Sequence, residues 1–113
     1  MAKKTILMPT LREKKRYVVF EAISQNAVNQ KMVEDSIQNS CLTYLGEKNY
    51  AKAGIKIMKE NWNSKQKMGI IRVDNHFVND LKTALALAKD NDTIIRSLST
   101  SGVVNKAKKY IAG

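Results

Sequence analysis

The run Pro9-Thr10-Leu11-Arg12-Glu13-Lys14-Lys15-Arg16-Tyr17 holds the densest chemistry in the sequence: five charges, four of them positive. It stands directly against the strand-like run Tyr17-Val18-Val19-Phe20, and Pro9 stiffens its entry by fixing φ. A cationic block joined to a fold without a flexible linker keeps its charges near a surface, as a phosphate-binding arm requires. A second basic group, Lys106, Lys108 and Lys109, lies near the other end. Residues 1–16 hold six Lys or Arg against one Glu, a net +5, and residues 103–113 carry +3, which leaves only +2 of the total +10 for the body. Such an excess favours polyanions through counterion release, with a salt slope of about −0.7 to −0.9 per phosphate contacted. Charge alone does not separate RNA from DNA, or either from an anionic membrane. No apolar run approaches the ~18 residues of a spanning helix and no signal-peptide core is present, so no membrane partner is expected.

The remaining reactive side chains have simpler roles. Cys41 and His76 would suit a nucleophilic pair, but Cys41 shares an apolar stripe with Ile37 and Tyr44 and reads as a small core residue. His76 falls in a first helical turn, polar and partly exposed. A zinc site needs ligands clustered at short spacing, and the sequence has none. The single cysteine excludes an internal disulfide and fits a reducing, cytoplasmic location. Asp74, Asp80, Asp90 and Asp92, with Glu34, Asp35 and Glu60, are the material for a metal-dependent nuclease. Turns and helix dipoles account for most of them, so no catalytic and no metal-binding residue is expected. The five glycines are scattered singly, with no phosphate loop. The strands also lack the aromatic signature of an RNA recognition motif. Trp62 lies in a polar turn, where covering a hairpin tip is a simpler role than stacking on a base. Arg72 and Arg96 each follow an Ile-Ile pair on a strand. Their guanidinium groups would emerge on one face, as a phosphate clamp or as ion-pair partners of Asp74 or Glu21.

These side chains need a scaffold, and 113 residues suffice for one domain with a modest core. Residues 1–14 read as a basic N-terminal arm and 15–113 as a single domain. Tyr17 to Ile23 alternates as a strand, with Val18, Phe20 and Ala22 on one face. Asn29 suits a helix N-cap, Val33, Ile37, Cys41, Tyr44 and Leu45 follow at helical spacing, and Gly46 suits the helix end. Ala51 to Glu60 reads as a second strand, residues 61–65 as a hairpin turn, and Met68 to Val73 as a buried third strand. Asn75 opens a second helix striped by Phe77, Val78, Leu81, Leu85 and Ala88. Asp90-Asn91-Asp92 turns into a fourth strand, Thr93 to Leu98, and Ser101 caps a short basic helix to about Tyr110. The predicted class is α+β with a split βαβ order (βαββαβ, as in ferredoxin-like and RNA recognition motif folds). It has an antiparallel sheet, two helices, and a short C-terminal helix.

Met8-Pro9-Thr10-Leu11-Arg12-Glu13-Lys14-Lys15-Arg16-Tyr17 resembles the Leu-Pro-Thr-Leu-Arg-acid-Lys-Lys-Arg-Tyr opening of the ribonuclease P protein component 2 family of archaea and eukaryotes. Further landmarks follow in order: Asn39-Ser40 with Leu45-Gly46-Glu47, then Gly69-Ile70-Ile71-Arg72, then Ile94-Ile95-Arg96 with Ser101-Gly102. The chain departs from the family pattern at Met8, Gln38 and Ser99, none of them in the basic motif. The resemblance implies a non-catalytic subunit of the ribonucleoprotein that removes the 5′ leader from precursor tRNA. There the RNA is the catalyst and holds the Mg²⁺, while the chain itself binds no cofactor. It implies a partner ribonuclease P protein, and two such pairs assembled around a dimer of this subunit. Arg12, Lys14, Lys15 and Arg16 would then contact the RNA backbone, with Lys106, Lys108 and Lys109 as a second patch. Arg72 and Arg96 are further candidates.

Three other readings compete. A generic structured-RNA binder, ribosome- or tRNA-associated, would use the same arms. A protein nuclease would use the acids named above. A regulatory dimer for a small ligand is disfavoured, because such a ligand has no use for +8 spread over two termini.

Overall fold

Strand β1 (Lys15–Ile23) buries side chains on both of its faces. Val18, Phe20 and Ala22 enter one core layer and Val19 enters another on the opposite side. The computed structural model describes residues 15–24, 28–90 and 93–112, and β1 is the strand around which they assemble. Four more strands follow among those residues: β2 (Lys56–Ile57), β3 (Met68–Asp74), β4 (Lys89–Asp90) and β5 (Thr93–Ser101). The sheet order is β2-β3-β1-β5-β4, and every one of these pairings is antiparallel. Val18 lies opposite Ile71 on β3 and Ala22 opposite Ile95 on β5, two apolar cross-strand pairs of the core. The register with β5 shifts between Val19, opposite Ser99, and Phe20, opposite Ser97, which leaves Leu98 as the bulged residue.

Helix α1 (Gln30–Ala53) starts as expected. Asn29 is its N-cap, its side-chain oxygen accepting from the Met32 N–H at 2.8 Å. Asn29→Ala should therefore lower stability by about 1 kcal/mol in urea unfolding; an unchanged midpoint would remove the cap from the account. Val33, Ile37 and Cys41 face the core, but Tyr44, expected beside them, is exposed.

The end of α1 differs from expectation. Gly46 has φ 81° and ψ 162°, which breaks the helix without ending it. Helical turns resume through Ala53 and stop at Gly54, whose φ of 60° supplies the left-handed cap. Ala51 to Ala53 are thus helical, and the expected strand from Ala51 to Glu60 shrinks to Lys56–Ile57. The alternation of Ala53, Ile55 and Ile57 had a second solution. Tyr50 and Ala53, one helical turn apart, pack on the core.

Asp74 ends β3, a 3₁₀ turn (Asn75–Phe77) follows, and α2 (Val78–Leu87) buries Leu81, Ala84 and Leu85. The Ser40 hydroxyl donates to the Ala84 carbonyl and pins α1 to α2. Both helices cover the face that carries Val18 and Phe20. Helix α3 (Val104–Ala112) lays Ala107 and Ile111 on Val19 and Ile70, on the opposite face. The fold is α+β with the split βαβ order, a ferredoxin-like sheet between two helices and one.

Candidate nucleic-acid interface

The basic run does not stop where the fold starts. Lys15 and Arg16 are the first residues of β1, paired opposite Asp74 and Val73. Arg72 lies opposite Tyr17 on one side and opposite Lys56 on the other. One corner of the sheet therefore collects Lys15, Arg16, Lys56 and Arg72. Lys56 was not singled out from sequence; its signal was the alternation of Lys52, Lys56 and Lys59, of which only Lys56 lies in a strand.

Each cation has a local setting. The Arg16 guanidinium lies over Gly102, where an added Cβ would sit 3.2 Å from Nη1. The absent side chain leaves it room beside the entry to α3. The Lys15 ammonium reaches within 3.0 Å of the position a Cβ on Gly54 would take, at the end of α1, where exposed carbonyls favour a cation. Arg72 has its Nε buried without an acceptor among the described residues, an uncommon cost that marks its pairing as incomplete.

Asp74 anchors this corner. Its carboxylate accepts from the His76 backbone N–H at 2.8 Å and lies 3.0 Å from His76 Nδ1. Burial alone would raise its pKa. The backbone and ring hydrogen bonds of His76, with the charges of His76 and Lys15, outweigh burial and hold it below the usual carboxylate value. A lowered folded pKa means stability that is complete above the unfolded value, about 3.9, and lost as pH falls through the folded one. Asp74→Asn should thus cost most at neutral pH and converge with the unaltered chain in acid. A pH-independent difference in urea midpoint would refute this role.

Arg96 pairs with Glu21, with Nε and Nη2 each 3.0 Å from Oε1, while most of its side chain stays exposed. Arg72 and Arg96 do share a sheet face, yet their partners Tyr17 and Glu21 stand four residues apart on β1. That spacing is roughly 13 Å, so the two do not converge in a single clamp. On the same face, α3 turns Lys106, Lys108 and Lys109 to solvent, opposite its buried Ala107 and Ile111. Across the sheet, α1 and α2 balance Lys31, Lys48, Lys52 and Lys82 against Glu34, Asp35, Glu47 and Asp80. Among the helices that flank the sheet, the excess charge thus lies on α3. Arg12 and Lys14 lie outside the described residues, as does the rest of the expected 1–14 arm.

Cys41 and His76 form no pair. The thiol is fully buried and its pKa is pushed up to about 11, whereas the imidazole is exposed at the surface. No group of three or more His, Cys, Asp or Glu among the described residues is arranged to hold a metal ion. No helix among them is long and apolar enough to cross a membrane. Trp62 packs on Phe20, with ring centroids 6.2 Å apart, which is the structural role its turn position suggested.

The family model described as the Rpp14/Pop5 family matches residues 16–112. Ribonuclease P protein component 2 of Pyrococcus furiosus is 40% identical over 106 residues, covering 91% of this chain and 87% of its own length. The protein of the same name from Pyrococcus horikoshii is 37% identical over 116 residues, covering 99% and 95%. That of Methanococcus maripaludis is 32% identical over 102 residues, covering 90% and 75%. A chain in the cryo-EM structure of yeast ribonuclease MRP has the same fold, with a TM-score of 0.61 at 11% identity over 88% of this chain and 86% of that one. With a match from Arg16 to Ala112 and such identities over nearly the whole length, this chain belongs to the Rpp14/Pop5 family, the family of the ribonuclease P protein component 2 proteins.

Proposed function

We propose that this chain is a non-catalytic protein subunit of ribonuclease P that binds the catalytic RNA and supports its removal of the 5′ leader from precursor tRNA. One observation carries the reading beyond family membership. By register Lys15, Lys56 and Arg72 share the sheet face on which α3 presents three lysines, and the Arg16 guanidinium lies over Gly102 at the entry to α3. A catalytic RNA must bring phosphates together to bind its Mg²⁺, and fixed Lys and Arg supply part of the countercharge. Arg12, Lys14, Lys15 and Arg16 are assigned the main backbone contacts. Arg72, Arg96, Lys106, Lys108 and Lys109 extend them. The Mg²⁺ belongs to the RNA, and precursor tRNA meets the chain indirectly. A second ribonuclease P protein is the expected partner, with a dimer of this chain at the centre of two such pairs. The working compartment is the cytoplasm.

Single-turnover cleavage of precursor tRNA by the cognate RNA at limiting Mg²⁺ tests the reading. Adding this chain with its partner subunit should restore cleavage, and omitting this chain should abolish the gain. RNA binding with no change in cleavage at any Mg²⁺ level, and equal competition by bulk ribosomal RNA, would leave a generic structured-RNA binder instead.

A further inference from the structure

Asn63 joins two parts of the chain that are distant in sequence. Its Oδ1 accepts from the N–H groups of Lys65 and Gln66 at 3.0 and 3.1 Å. Its Nδ2 donates to the Ile111 carbonyl at 2.7 Å. One side chain thus shapes the tip of the β2–β3 hairpin and fastens it to the last turn of α3, satisfying a carbonyl that a helix end leaves open. The link holds Lys65 and Lys108 on the rim of a groove of about 510 Å³ that Trp62 and Ile111 also line. Trp62 is partly exposed there and backed by Phe20 and Gly69. Glu60 and Asn61 also line the groove, and the Asn61 side-chain oxygen is buried with no hydrogen-bond partner among the described residues.

We propose that this groove binds one unpaired nucleotide, with the base against Trp62 and its flanking phosphates at Lys65 and Lys108. The proposal rests on the RNA-binding reading above and adds a site that the basic arm does not provide. A rigidly backed aromatic beside two cations matches a stacked base with a phosphate on either side. The acceptors of Glu60 and Asn61 suit the exocyclic amine of a base such as adenine. A base inside a duplex cannot enter, since its faces are stacked and its edges paired, so the ligand is a single strand, bulge or loop. An apolar ligand would leave both lysines unused.

Trp62 is the chain's sole tryptophan, so all tryptophan emission comes from this groove and its Phe20 backing. The full chain is titrated with end-labelled hexa-adenylate RNA, and separately with a blunt RNA duplex of the same length. Tryptophan emission and RNA anisotropy are read together. The single strand should quench Trp62 saturably, while the duplex raises anisotropy with emission unchanged. K65A/K108A, both at exposed positions, should weaken the single strand roughly tenfold and flatten its salt slope by about 1.4, as expected at ~0.7 for each phosphate left without its lysine. The Ala variant of Arg12, Lys14, Lys15 and Arg16 should keep the quenching at saturation. Raised anisotropy with hexa-adenylate but no quenching, equal quenching by the duplex, or unchanged affinity in K65A/K108A overturns the groove while sparing the RNA-binding reading. No anisotropy change with either RNA overturns both.

Discussion

Changing Arg12, Lys14, Lys15 and Arg16 together to Ala should lower the slope of log affinity for ribonuclease P RNA against log salt by about 2.8 to 3.6. Each phosphate contact contributes roughly 0.7 on single strands and 0.9 on duplex. The loss of affinity is greatest at low salt and shrinks as screening rises. Lys15 and Arg16 matter beyond their charge, because pairing opposite Asp74 and Val73 fixes their backbone before RNA arrives. Groups already ordered lose less freedom on binding, so K15A/R16A should reduce affinity more than R12A/K14A even where the two slopes change equally. Lys15 also contributes to the low pKa of Asp74, so melting of K15A/R16A is the necessary control. An unchanged slope in a variant that melts normally would remove the motif from the interface and leave the α3 lysines as the main contact.

Much of the scaffold was legible because local rules decide it. The period-two pattern of Val18, Phe20 and Ala22 placed β1, the oxygen of Asn29 placed the start of α1, and Leu81 and Leu85 placed the buried stripe of α2. Elements whose local signal has two solutions were misread. A lone glycine both ends and kinks helices, and only the packing of Tyr50 and Ala53 shows that Gly46 kinks. The periodicity of α3 marks Ala107 and Ile111 as apolar, but does not say which sheet face receives them. Site geometry was least legible where it depends on register between distant segments. Arg16 over Gly102, Lys56 beside Arg72, and Asn63 on the Ile111 carbonyl are such cases. Residue types supply the charges of the interface; the sheet supplies their arrangement.

The largest stability effect should come from the pair that supports the hairpin, Phe20 and Gly69. They face each other across β1 and β3. A Cβ at residue 69 would stand 2.6 Å from Phe20 Cζ and 2.8 Å from Cε1, with Trp62 Cε3 only 3.3 Å away. Phe20 is 1% exposed and has Trp62 against its ring, so the ring has little room to retreat. Gly69→Ala should cost roughly 1–3 kcal/mol through overpacking, and Phe20→Ala roughly 3–5 kcal/mol through lost burial and the cavity left behind. The discriminating variant is Gly69→Ala with Phe20→Leu. If the clash is with the ring, shrinking the ring relieves it, and the double variant should be more stable than the summed single costs by about 0.5–3 kcal/mol. Urea unfolding followed by circular dichroism measures all of these costs. Emission from Trp62 should shift to the red in Phe20→Ala, because the indole loses its backing and meets more water. Strict additivity would mean that backbone strain at residue 69, not the ring, sets the cost. The Phe20 ring would then lose its place as the base on which Trp62, and the groove above it, is held rigid.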